Sequence, residues 1–152
     1  MAAVPPTRAA WGRQTASVQA LLLIHAAGTV AMAGIAWFVQ VVHYPLFALV
    51  GDEFAAYEAR HAERTTLVVA PLMTIEALAA VLIVIRAPGV LTAVGLALVA
   101  LLWMATAVVQ VPCHRRLAQG FDAGVHRRLV ETNWLRTVEW TARAGLAFWL
   151  LH

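Results

Sequence analysis

The chain has no lysine, a single cysteine and few charges of either sign, and each shortage removes a class of function. Charged residues make up 12% and apolar residues 62% of its 152 positions, against about 25% and 45–50% in soluble domains. A water-soluble globule is therefore excluded and a membrane protein is expected. The net charge of +3 comes entirely from arginine. Those arginines flank hydrophobic runs instead of forming a solvated basic domain, so nucleic acid is not an expected partner. With Cys113 alone, neither an internal disulfide nor a thiol-rich zinc site can form. No linker divides the chain, no HExxH signature marks a known metalloenzyme, and no GxxxG pattern compels a dimer, although small bundles of this kind often associate into homo-oligomers.

What is present is a series of long apolar runs broken by proline, glycine and polar clusters. Residues 1–17, with Pro5, Pro6 and Gly12, predict a flexible arm on the membrane surface, anchored by Trp11. Residues 18–152 predict one transmembrane domain. Its spans are Ala20–Val42, Thr65–Ile85, Val90–Val111 and Leu129–Leu151, each long enough at about 1.5 Å per residue to cross a core of about 30 Å. Pro45 and Gly51 are expected to bring the chain out after the first span, Arg86 to Gly89 to turn it, Pro112 to break or bend the third span, and Gln119 to Asp122 to turn it again. The expected fold is all-α, an integral membrane four-helix bundle of two helical hairpins. A weak internal echo, VQVVH at residues 39–43 against VQVPCH at 109–114, pairs the spans two by two.

The unusual chemistry concentrates between Val108 and Arg143 and is completed by the first hairpin. His43 lies eight residues before Gly51 and His61 ten after it; His114 and His126 lie six on either side of Gly120. Helix rise then puts the first three about 9–15 Å in from the turns, with His126 nearer the mouth. Imidazoles converging from separate helices suit a metal, so His43, His61, His114 and His126, with Glu58, are candidate ligands, and copper or iron is the expected ion. Haem between an opposed pair such as His43 and His114 is the alternative cofactor. Gln40 and Gln110, three and four residues before their histidines, share helical faces with them and are candidates to orient a ligand, as is Asn133. His25 and the terminal His152 fall outside this level and read as structural.

The fourth span carries Arg136, Glu139 and Arg143, spaced three and four apart. A charge at mid-helix costs about 2.5–3.5 kcal/mol on insertion scales, so these residues need partners or a wet cavity. The spacing predicts a same-face chain of alternating charge, with Glu76 of the second span as the extra counter-charge and Arg136 and Glu139 also reaching the catalytic region. Six arginines, at 60, 64, 115, 116, 127 and 128, lie on the histidine side against Arg8, Arg13 and Arg86 on the other. By the positive-inside rule the histidine-bearing face is cytoplasmic, in what would be a bacterial inner membrane.

The segments QVVHYPLF, YEARH, QVPCH, LVETNWLRT and VEWTAR, spanning most of residues 28–143, resemble a motif set of small, uncharacterised four-helix bacterial membrane proteins. More distantly, Gly28 in the first span, Pro45 at its end and four spans in this length are similar to the anthrone oxygenase-like family. That resemblance implies oxygen or redox chemistry on a lipophilic small molecule. Together the residues and the resemblance lead to the expectation of a membrane metal-dependent oxidoreductase or oxygenase. A non-catalytic ligand-binding or transport protein built on the Arg/Glu network, or a b-type haem protein, is the alternative.

Overall fold

A computed structural model describes residues 8–151 along the backbone and 15–151 with their side chains. Among the described residues every regular element is helical. The first, α1, spans Arg8–Phe38 and is prolonged by a π-helical turn at Val39–His43, a short helical stretch at Tyr44–Leu46 and a 3₁₀ turn at Phe47–Leu49. The second, α2, spans Phe54–Arg86. The third, α3, spans Val90–Ala105 and continues through a π turn at Thr106–Gln110 into Val111–Leu117. The fourth, α4, spans Ala123–Leu150. Three stretches, Thr15–Leu49, Gly51–Arg86 and Val90–Leu117, are long and apolar enough to cross a membrane. The exposed apolar side chains agree, with Leu67, Ile85 and Val108 more than 60% exposed on the outer surface; such a surface is stable in lipid and a liability in water.

Two boundaries differ from expectation. Helix begins at Arg8, inside the segment read as an arm, because extending an existing helix through Ala9, Ala10 and Gln14 costs far less than starting one. Trp11 and His152 lie outside the residues whose side chains are described. The prolines also do not break their helices. A proline ring clashes with the carbonyl four residues earlier, here that of Val41 for Pro45 and of Val108 for Pro112. In both places that residue sits inside a π turn, whose wider ring moves the carbonyl aside and lets the helix run on.

Helix α1 packs on α2 and α4, and α3 packs on the same two, so each helix has two neighbours. Gly28 lets α1 and α2 approach closely, since a Cβ there would stand 3.3 Å from Cβ of Glu76. The interior is layered. At the turn end lie Tyr44, Phe47, Phe54, Cys113, Leu117 and Leu129. Deeper lies a second apolar layer of Met32, Ala36, Met73, Leu102 and Trp140. Polar side chains occupy the levels between and beyond these two.

The turn into α4 is set by Gly120, whose φ of +141° suits glycine, and by Asp122. The Asp122 carboxylate accepts from Val125 N at 3.0 Å and Gly124 N at 2.9 Å, capping the helix. Those backbone donors, the Val125 bond first, hold its carboxyl below the ordinary value of 3.8. A depressed acid stabilises the fold above its ordinary range and loses that contribution as pH falls through the folded-state value. Asp122→Asn should therefore keep the cap at neutral pH while removing a small acid-side loss of stability, read by thermal unfolding from about pH 5 down to about pH 2. Equal acid sensitivity in both proteins would show that the cap carboxylate is not its source.

Candidate functional site

The four-helix arrangement brings three of the predicted ligands to one level near the turn end. Glu58 of α2, His61 one turn later and His114 of α3 each offer a donor atom within 4.8 Å of the others'. The Glu58 Oε1 stands 2.5 Å from Nδ1 of His114. Glu58 is completely buried, and its other oxygen, Oε2, has no hydrogen-bond partner. His43 joins from α1, its Nε2 2.8 Å from Nδ1 of His61, one ring donating to the other. The His61 ring lies 4.5 Å from that of His43 and 5.4 Å from that of His114.

Two contributors were not anticipated. The Tyr44 hydroxyl lies 3.0 Å from Nε2 of His114, so that ring is held from both sides, by a phenol and by a carboxylate. The only signal for it is its place between His43 and Pro45 at the head of an aromatic stretch. Thr65, four residues after His61 on the same helical face, places its hydroxyl 3.2 Å from that ring's Nδ1.

His126 does not join this set. Its Nε2 donates to the Tyr44 carbonyl at 2.8 Å, and its ring stacks on Phe47, so it ties α4 to the end of α1. Nor do the glutamines hydrogen-bond their histidines. Gln40 donates to the Val130 carbonyl at 3.2 Å and accepts from Asn133 Nδ2 at 2.9 Å, and Gln110 donates to the Thr132 hydroxyl at 3.0 Å. Both clamp α4. Gln40 and His43 both lie inside the first π turn, whose wider ring turns the chain less per residue, so the two side chains diverge where an unbroken α-helix would align them.

The charged stripe of α4 also divides. Arg143 forms a buried ion pair with Glu76 and donates to the Gly95 carbonyl at 2.7 Å. His25 Nδ1 lies 3.1 Å from the same Glu76 oxygen, and Thr29 donates to it at 3.4 Å. His25 is thus part of a charged layer, and its spacing of four from Thr29 is the only sequence signal of it. Arg136 instead donates to Asn133 Oδ1 at 3.0 Å. Neither it nor Glu139 makes an ion pair among the described residues, so the alternating chain is not formed; Glu139 Oε1 and Arg136 Nε are buried without partners.

Two cavities meet at His61. An outer one of about 470 Å³ is lined by His43, Tyr57, Arg60, His61 and Arg64. An inner one of about 670 Å³, mostly apolar, reaches from His61, His114 and Tyr44 past Met32, Met73 and Trp103 to Asn133 and Arg136. Chemically, this is a buried carboxylate with two or three imidazoles, at the wall of a space able to hold a small apolar molecule. No family model, no curated protein and no solved structure matches this chain.

Proposed function

We propose that the chain is a four-span membrane bundle, α4 included, that binds a single metal ion through Glu58, His61 and His114 and oxidises a lipophilic molecule held in the inner cavity, with O₂ as the electron acceptor. The observation that carries this reading is that His61 and His114 belong at once to the ligand cluster and to the cavity wall. Two histidines and one carboxylate are the donor set of non-haem iron oxygenases, which leaves coordination positions open, so iron is favoured over copper. The ion when bound would supply redox and Lewis-acid chemistry. His43 is placed to be a further ligand or to orient His61, and Tyr44 to hold and polarise His114. The packing of His61 against both His43 and His114 leaves no slot between them for a porphyrin, which disfavours haem. By the positive-inside rule, the arginine excess at this end favours the cytoplasmic side of an inner membrane as the location of the site.

The Glu58 and His114 donor atoms would need to part only slightly to hold an ion between them. Two ligands at about 2.1 Å and a right angle stand about 3.0 Å apart, against 2.5 Å for the Glu58 and His114 pair. Release of the proton they share lets both lone pairs face the ion. Protein in phosphatidylcholine nanodiscs, loaded anaerobically with iron(II) and desalted, should hold about one ion per chain, and His114→Ala or His61→Ala less than about a tenth of that. Wild-type protein at trace level, or variants equal to it, would overturn the proposal.

A second reading, non-catalytic ligand binding or transport, is favoured by the Glu76, Arg143 and His25 layer, since intramembrane ionisable residues commonly mark ligand or ion paths. It predicts loss of transport in Glu76→Gln with no metal bound in any variant.

A further inference from the structure

The inner cavity has a chemical asymmetry that the metal site does not use. Its walls are largely aliphatic and thioether, yet Arg136 lines it as well. Among the described residues no carboxylate is within ion-pair distance of that guanidinium. Among the described residues its only hydrogen bond goes to the neutral Asn133 Oδ1, and its Nε is buried without a partner there. Glu139, three residues on, is not on the cavity lining. The other charged lining residues, Glu63 and Arg115, are exposed. A helical side chain leans toward the N-terminus of its own helix. For α4 that is the histidine end, so the bond from Arg136 back to Asn133, one turn nearer the site, carries the cation toward Tyr44 and His114. The cavity also reaches the lipid-facing surface, for Leu67 and Trp103 line it while remaining 71% and 41% exposed.

From these features we infer that the cavity takes a lipophilic carboxylate, its alkyl chain against Met32, Met73 and Trp103 and its acidic oxygens on the Arg136 fork. A planar guanidinium with free N–H groups matches a carboxylate in two-point geometry. A cation lining a largely apolar cavity with no carboxylate in direct contact, Glu139 lying beyond ion-pair distance and Glu63 at the exposed rim, gains from a ligand that brings one. The lipid-facing opening admits such a molecule sideways from the leaflet. The inference rests on the oxidoreductase reading only for what then happens to the ligand; binding requires no ion.

The test uses chelator-treated full-length protein in phosphatidylcholine nanodiscs with radiolabelled dodecanoate as probe and dodecanol as its neutral match. Dodecanoate should bind saturably at about one per chain, with dodecanol competing at least about tenfold more weakly. Arg136→Gln should weaken dodecanoate by about tenfold or more and abolish the preference, Arg136→Lys should retain part of it, and Ala70→Trp, which fills the cavity, should block both ligands. Circular dichroism and size-exclusion profiles establish that each variant is folded; if Arg136→Gln does not fold, the Lys and Trp variants decide. Equal affinity for acid and alcohol, or a preference unmoved by either Arg136 variant, would overturn the inference. Because the protein is metal-free here, that failure leaves the metal analysis standing, and failure of the metal analysis leaves this one standing.

Discussion

Replacing Arg143 with leucine is expected to destabilise the protein by about 3–5 kcal/mol, comparable to truncating a large buried aromatic side chain. Arg143 and Glu76 are each only 1% exposed and form an ion pair at the level of mid-span. Removing the cation leaves a buried carboxylate facing only His25 and Thr29. The gain from forming such a pair is much smaller than the loss from half-breaking it, because desolvating both charges offsets most of their attraction. The double variant Glu76→Leu/Arg143→Leu should therefore recover most of the loss. Thermal or denaturant unfolding in one detergent, arranged as a double-mutant cycle, measures the coupling. Additive single losses would mean that the two side chains do not act as a pair.

Glu58→Gln should separate metal binding from folding. In the metal-free protein this buried carboxylate has one imidazole partner and one unsatisfied oxygen, so a neutral isostere relieves a desolvated charge and the melting midpoint should hold or rise. The same change removes an anionic ligand, or the carboxylate that orients His114, and should weaken metal binding by at least about 10–100-fold. Metal-induced stabilisation, which reaches about 2.7 kcal/mol for wild type when free metal is a hundred times its dissociation constant, should shrink accordingly. Melting curves with and without iron(II) read both effects. A variant that melts low without metal yet is fully rescued by it would contradict the assignment of Glu58 to the ion.

The histidine level was legible from counting alone. Four long helices with short turns leave little freedom in depth, so His43, His61 and His114 had to arrive at similar heights. Their directions were not legible. Gln40 and His43 are three apart and would share a face on an ideal helix, but the π turn at Val39–His43 sends one to α4 and the other to His61. The prolines after both π turns hinted at distortion without specifying its form, because a kink, a break and a π turn all relieve the same clash. Pairing among the ionisable groups was equally hidden. Arg136, Glu139 and Arg143 have ideal spacing along α4, yet α1 and α2 supply Arg143 with its partners and leave Arg136 without one.

Sequence alone determined the properties that depend on composition and periodicity: an all-helical chain, three of the four expected spans as stretches able to cross a membrane, and the level at which His43, His61 and His114 gather. Those properties come from solvent preference and helix rise, which act along the chain. Only the tertiary structure decided which donors meet. Glu58 faces His114 across two helices, Tyr44 and not His126 completes the surroundings, and the open side becomes a cavity lined by Arg136, which has no ion-pair partner among the described residues. Such contacts depend on the rotation of each helix about its own axis. One extra residue in a turn changes that rotation by roughly 100° while moving depth by only about 1.5 Å.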